Sequence, residues 1–187
     1  MKILSILFFI FTFTLSSCSE YTPKPIGYAR IEKVAADTVR LQGSGFSFLY
    51  SSLAKIEYLN PEVKNEVWFN IYYPTYKAKI YCTYIPTNNK ELSKMLDDSH
   101  QLAYSHAVRA ESISQTQFSD SLKHLSGLIY DIKGSVASPV QFYVTNNSSK
   151  FMRGALYFDD AVKSDSIAPV VAFLRDDIVR IMESLQW

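Results

Sequence analysis

The spacing of apolar and polar residues changes along the chain, from one continuous apolar run to period two and then to period 3.6. After the run Ile3–Leu15, apolar and polar residues alternate in short segments, as they do in half-buried strands. The alternation predicts strands over Gly27–Ile31, Phe46–Tyr50, Val67–Tyr73 and Ala78–Ile85. Pro74-Thr75 joins the last two strands.

A helix is predicted next. Asn88, with Glu91 three residues later, can form a capping box at its start, and an apolar stripe continues to about Val108. The stripe consists of Leu92, Leu96, Ser99, Ala103, His106 and Ala107.

Period two then returns and predicts an antiparallel meander. One face of each strand is apolar: Leu128, Tyr130 and Ile132 within Gly127–Ile132, then Val140, Phe142 and Val144, then Met152, Leu156 and Phe158. Lys133-Gly134-Ser135 and Asn146-Asn147-Ser148-Ser149 have the residue types of turns.

A second helix closes the chain. It is predicted to begin near Asp165 or Ser166, with Pro169 in its first turn. Its apolar stripe is Ile167, Val171, Leu174, Ile178, Ile181 and Leu185, and the residues expected to face water are Arg175, Asp176, Arg180 and Glu183.

These elements predict the α+β class: a single domain over residues 27–187, with an antiparallel sheet and helices packed against it in an α/β/α sandwich. Aromatic residues lie out of phase with the apolar positions, so the second sheet face is expected to be partly apolar and covered by a helix. These aromatics, interpreted as packing rather than as a sugar-stacking platform, are Trp68, Tyr72, Tyr81 and Tyr143.

The N-terminal apolar run is shorter than the about 20 residues that a membrane-spanning helix needs. Lys2 precedes it and small residues follow it, which is the layout of an export signal. Leu15-Ser16-Ser17-Cys18 fits the bacterial lipobox. We therefore expect residues 1–17 to be a lipoprotein signal peptide and Cys18 to carry a diacylglycerol and an acyl chain, with no other cofactor.

Residues 18–26 are predicted to form a lipidated tether, made semi-rigid by Pro23 and Pro25. Two or more acyl chains give a stable anchor, so the membrane is the first expected partner. The chain carries 19 Lys and Arg against 18 Asp and Glu, and the loss of Lys2 with the signal balances them. This balance argues against nucleic acid as a partner.

The candidate reactive groups are few. His100 and His106 lie about 240° apart around a helix, so they cannot share a metal ion, and His106 on the stripe is interpreted as a hydrogen-bonded core residue. No helix or strand pattern indicates where His124 lies relative to the other two histidines. Cys82 shares a strand face with apolar residues and is expected to be a buried, inert thiol.

No catalytic or metal-binding role is assigned to three acidic pairs and one glycine-containing turn. Asp97-Asp98 and Asp176-Asp177 are read as solvated helix faces, and Asp159-Asp160 lacks the spacing of a calcium loop. Gly43-Ser44-Gly45 is read as a turn before a strand. The stretch 131–139 is the candidate partner-binding loop, through Asp131, Lys133, Gly134, Ser135 and Ser138.

Several segments together resemble one family. They are YTPKPIGYARI after Cys18, WFNIYYPTYKAKIYCTYIP, LIYDIKGSVASPVQFYVT, FMRGALYF and APVVAFLRDDIVRIMESLQW. The chain resembles the gliding-motility lipoprotein D family (GldD) of the Bacteroidota over its mature length, departing at Ile26, where the family pattern has a basic residue. The order of elements is also similar to the Mog1/PsbP type of fold.

The resemblance implies a cell-envelope lipoprotein required for gliding and for the associated type IX secretion, acting by docking to that machinery and supplying no catalytic residues. The outer membrane is favoured over the inner, with the domain in the periplasm. Two alternatives stay open: a small-ligand binder or hydrolase with a site around His106 or His124, and glycan binding through Trp68 and Tyr72.

Overall fold

The computed structural model describes residues 37–60, 65–159 and 164–187. The predicted signal peptide, Cys18, the tether and the strand predicted at Gly27–Ile31 lie outside these residues.

The centre of the molecule is a seven-stranded antiparallel sheet in the order β3-β4-β5-β9-β8-β7-β6. A separate two-stranded sheet pairs β1 with β2. The strands are β1 (Thr38–Gln42), β2 (Ser47–Ser51), β3 (Lys55–Leu59), β4 (Val67–Tyr73), β5 (Ala78–Pro86), β6 (Ala110–Asp120), β7 (Leu125–Gly134), β8 (Val140–Thr145) and β9 (Lys150–Phe158). The helices are α1 (Asn89–Tyr104) and α2 (Ser164–Ser184), with a short 3-10 helix at Pro74–Tyr76. The predicted α+β class with an antiparallel sheet is confirmed.

Most predicted elements are present at or near their predicted bounds. β4 matches the predicted Val67–Tyr73, and the Asn88 side chain caps α1 by accepting hydrogen bonds from the backbone N–H groups of Lys90 and Glu91, both at 3.1 Å. The Asn146 carboxamide oxygen likewise accepts the backbone N–H of Ser149 at 2.9 Å and closes the predicted turn. The turn before β2 is also confirmed.

Three strands were not predicted, namely β1, β3 and β6. β1 and β6 are largely exposed, so no continuous apolar face marked them in the sequence. The predicted extension of α1 to Val108 is wrong. The helix ends at Tyr104 because the chain turns over residues 105–109 to begin β6, and the backbone N–H of Ala110 bonds to the carbonyl of His106 at 3.0 Å.

One sheet face packs on α2 and forms the main core. Fully buried side chains from the sheet and the helix meet there, among them Phe69, Ile80, Leu156, Leu174 and Ile178. The small sheet closes the end of this core, since Phe46 stacks on Phe69 with 5.5 Å between ring centroids. The backbone N–H of Leu49 also donates to the hydroxyl of Ser184 on α2 at 2.8 Å.

α2 departs from prediction at one acidic residue. Asp177 is only 2% exposed, and it accepts a hydrogen bond from the buried Tyr73 hydroxyl at 3.2 Å and another from Arg180. The interpretation of Asp176-Asp177 as a solvated pair is therefore wrong for Asp177. Helical spacing places it beside the core, and its two partners satisfy the carboxylate.

The second sheet face is covered over part of its width. Ala103 of α1 packs on Tyr130 and Ile132 of β7, and the amide of Gln115 on β6 donates to the Tyr104 hydroxyl at 3.0 Å. The strand register confirms that Trp68, Tyr72, Tyr81 and Tyr143 all lie on this face. The expectation of a helix covering the face is thus met over β7 and β8. Within the described ranges, neither helix covers β3 and β4.

Candidate functional site

A cavity of about 850 Å³ lies between the second sheet face and the C-terminal half of α1. Its floor is a row of side chains that the strand register places across four strands: Tyr81 on β5, Ala155 on β9, Gln141 on β8 and Tyr130 on β7. The methyl group of Ala155, set among three larger side chains, leaves the central space empty. The volume is within the range of about 300–1,000 Å³ typical of small-molecule sites.

The roof of the cavity comes from α1 and the turn that follows it, through Ser99, Leu102 and His106. Ser99 is buried, and its hydroxyl donates to the Met95 carbonyl at 2.7 Å. The roof is thus held by the helix itself, while the floor is held by the sheet.

Arg153 is a half-buried cation in this cavity, on β9. The register places it between Thr83 of β5 and Tyr143 of β8, one row along from Ala155. Among the described residues it makes no hydrogen bond or ion pair. Its guanidinium group therefore keeps its donors available inside the cavity.

Gln141 shares this property. Its side chain is 9% exposed and lines the cavity, and no hydrogen-bond partner for it lies within the part of the chain that the structure describes. Its amide can both donate and accept hydrogen bonds. Arg153 and Gln141 lie on adjacent strands two positions apart in register, so a single ligand can reach both.

Tyrosines make much of the cavity lining aromatic. Tyr81 and Tyr157 contact edge to face, with 5.4 Å between ring centroids. Burial, with Tyr143 and Tyr104 near by, raises the pKa of Tyr130 to about 12. The Tyr130 hydroxyl is therefore uncharged and able to donate a hydrogen bond at physiological pH.

The structure separates the three histidines. His106 lies beyond the end of α1, is half-buried and lines the cavity, so the interpretation of His106 as a core residue of the helix is wrong. His100 is exposed and stacks on Tyr104 with 4.4 Å between ring centroids. His124 is exposed in the turn between β6 and β7, at the opposite end of β6 from His106. A site that combines His106 with His124 is thus ruled out by the length of β6.

The candidate loop 131–139 is shorter than predicted, because β7 continues to Gly134. Asp131 accepts two hydrogen bonds from the Arg175 guanidinium of α2, at 2.6 Å and 2.9 Å. Ser138 is fully buried and donates to the Val140 carbonyl at 3.4 Å. The loop therefore presents Lys133 and Ser135 to solvent, and its role in binding a partner stays a prediction.

The Asp131–Arg175 pair is expected to stabilise the fold by fastening α2 to β7. Asp131→Asn should lower the free energy of unfolding by about 1–2 kcal/mol, because the pair is bidentate and only partly exposed. Lys133→Ala, at a neighbouring exposed position, should change it by less than about 0.5 kcal/mol. Urea denaturation of both variants measures the difference, and equal stabilities would contradict a structural role for Asp131.

The aromatic pair considered for glycans is engaged within the protein. The Trp68 indole N–H donates to Glu66 at 2.6 Å, and the Lys79 ammonium lies 4.8 Å from the centre of the Tyr72 ring. Cys82 is 3% exposed, which confirms the predicted burial, and this burial raises its pKa well above the ordinary value. That the thiol is inert stays a prediction.

Three further features were searched: metal-ligand clusters, the Asp159-Asp160 pair and membrane-spanning helices. In the described part of the chain, no three His, Cys, Asp or Glu side chains lie close enough to hold a metal ion. Asp159 is at one end of the cavity, and Asp160 lies outside the described residues. Neither described helix combines the length and the hydropathy required to cross a bilayer.

Sequence reasoning missed the cavity. Its floor positions are read from the register between β5, β9, β8 and β7, which a single sequence does not display. The one available signal was Arg153 among the apolar and small residues of FMRGALYF.

The fold and this site define a small α+β protein with a ligand-sized cavity between a sheet and a helix. The model of the gliding motility lipoprotein GldD family matches residues 18–187, and the chain belongs to that family. The match begins at Cys18, the predicted lipidation residue. The chain is therefore a gliding motility lipoprotein.

No curated protein matches the chain. Among solved structures, the chain is similar to the solution structure of cyanobacterial PsbP (CyanoP) from Synechocystis sp. PCC 6803, at 10% sequence identity and a TM-score of 0.49. The alignment covers 87% of this chain and 99% of that chain.

Proposed function

We propose that this lipoprotein is a non-enzymatic accessory component of the gliding machinery and of the associated type IX secretion apparatus, held at the outer membrane by lipid on Cys18 with its domain in the periplasm. The observation that carries the proposal is the family match over residues 18–187. The lipobox supports the anchor. The balanced charge supports a protein partner rather than a nucleic acid.

The docking surface we assign is the exposed part of the β7–β8 connection, Lys133 and Ser135, together with the neighbouring edge strand β6. Among the described strands β6 pairs with β7 alone, so its other edge can offer backbone hydrogen-bonding groups to a partner strand. A glycine with a φ of 115°, Gly134, lets the strand turn sharply into this connection.

The anchor is tested by replacing its cysteine. Cys18→Ser should abolish incorporation of labelled palmitate, leave the signal peptide uncleaved and stop gliding, because the thioether can no longer form. Ser19→Ala, one residue further on, is the matched control and should behave as wild type. Normal lipid labelling and normal gliding in Cys18→Ser would refute the anchor.

The docking role is tested in living cells with a photoreactive amino acid incorporated at Ser135. Irradiation should give an adduct with an envelope protein of the gliding or secretion machinery, identified by mass spectrometry. The same group at Lys94, exposed on α1, is the control position. Adducts of equal yield at both positions, or adducts with unrelated proteins alone, would argue against this surface.

A ligand-dependent function is the second candidate, since His106 lines the cavity. This function would be favoured if His106→Gln abolished gliding at normal protein levels. His100→Gln and His124→Gln should then leave gliding unchanged. Normal gliding in all three variants would remove a histidine-dependent site.

A further inference from the structure

We propose that the cavity beneath α1 binds a small polar molecule carrying one carboxylate or phosphate group, with Arg153 as the anion-binding residue. This goes beyond the docking role, which does not require the cavity.

The first observation is that Arg153 has no partner, whereas the other half-buried cations of the described ranges each have one. Lys150 lies over the Trp187 ring, with 5.9 Å from its ammonium to the ring centroid. Lys79 pairs with Glu57 at 3.3 Å, Arg175 pairs with Asp131, and Arg180 pairs with Asp177. Arg153 is also half-buried, yet it has no such partner in the described ranges. A half-buried guanidinium without a protein partner has donors to spare, and an oxyanion can accept two parallel N–H bonds from them.

The second observation is the side chain of Gln141, a residue that is nine-tenths buried but whose amide atoms are accessible from the cavity. A polar side chain nine-tenths buried normally has hydrogen-bond partners within the protein. Gln141, at 9% exposure, has none among the described residues and lines the cavity. If the anionic group of a ligand binds Arg153, the uncharged part of the same ligand can donate a hydrogen bond to the Gln141 amide or accept one from it.

The side chains that line the cavity indicate which chemical groups the rest of the ligand carries. Tyr81, Tyr130 and Tyr157 provide ring faces and hydroxyl groups, and Thr83 provides a further hydroxyl. Such a lining suits a compact ring bearing hydroxyl or amide groups rather than a long acyl chain.

A carboxylate of the protein also lines the cavity, Asp159. Hydrogen bonding to Glu57 is the main cause of the raised pKa of Lys79, and the charge of Asp159 makes a smaller contribution to the same shift. Asp159 therefore lies near a second cation, and Arg153 remains the one lining arginine open to an anion.

Binding is tested on the purified, lipidated protein in mild detergent, by titration calorimetry with glucose 6-phosphate, glucuronate and uncharged glucose. At least one charged probe should bind with a dissociation constant below about 1 mM, and glucose should bind at least about tenfold more weakly. The preferred charged probe shows whether phosphate or carboxylate is the recognised group. No binding by either charged probe, or equal binding by glucose, would overturn the proposal.

Matched variants locate the site. Arg153→Gln should weaken binding of the charged probe at least about tenfold, whereas Arg109→Gln, at an exposed arginine outside the cavity, should leave it unchanged. Ala155→Leu keeps the arginine but fills the floor, so it should also abolish binding. Circular dichroism establishes that each variant is folded, and wild-type affinity in either Arg153→Gln or Ala155→Leu would refute the site.

Discussion

Phe69→Ala is expected to lower the free energy of unfolding by about 4 kcal/mol, which is a large part of the stability of a domain of this size. Phe69 is fully buried on β4 and stacks with Phe46 and Phe48, at 5.5 Å and 5.9 Å between ring centroids. It joins the small sheet to the large one. The substitution therefore leaves a cavity where two sheets meet, and β1 and β2 should lose protection from hydrogen exchange before the rest of the fold.

Tyr58→Ala is the control for this prediction. Tyr58 contacts the same Phe69 ring, with 6.3 Å between centroids, but is 56% exposed. Its removal should cost less than about 1 kcal/mol, because little apolar area is lost from the core. Urea denaturation of the purified lipoprotein measures both variants. Similar losses for the two would show that Phe69 does not hold the sheets together.

Asp177→Leu is expected to cost about 3 kcal/mol at neutral pH. The Tyr73 hydroxyl, on a fully buried side chain, donates to Asp177 at 3.2 Å and would lose its acceptor. Arg180 would lose its partner at the surface of α2. The double variant with Tyr73→Phe should recover part of the loss, since no orphaned hydroxyl then remains. A double variant less stable than Asp177→Leu would contradict this account.

The same carboxylate predicts a pH dependence. Burial raises the pKa of Asp177 above its ordinary value of 3.8, and this effect exceeds the opposing effects of Arg180 and Tyr73. The folded state therefore binds the proton more tightly than the unfolded state, so the contribution of Asp177 to stability is greatest below pH 3.8 and declines as pH rises through the raised pKa. The stability gap between wild type and Asp177→Leu should thus widen on acidification. A gap that narrows would mean that the Arg180 pair dominates instead.

Elements with a one-sided apolar pattern were predictable from the sequence. Val67–Tyr73 alternates strictly, and the structure has a strand over the same residues. Asn88 signals the start of α1 because its side chain satisfies backbone N–H groups locally. The family resemblance was also present in the sequence, carried by extended segments in order.

The edge strand β6 illustrates what the pattern could not show. Its residues AESISQTQFSD are largely exposed, and its two large apolar residues, Ile113 and Phe118, point to opposite faces of the sheet. Without a buried face there is no periodic signal. Only pairing with β7 makes this segment a strand.

By itself, the sequence determined the class of the protein: an antiparallel sheet with helices packed against it, and membership of a gliding lipoprotein family. It also predicts a lipid anchor at Cys18 after a short apolar run. Tertiary structure alone decided which charges are satisfied. Asp131 and Arg175 are 44 residues apart and bonded, whereas Arg153 has no partner in the described chain. The reason is that hydrophobic periodicity reports only which side of an element is buried. Whether a charge there finds a counterion depends on strand register and helix docking, which bring distant residues together.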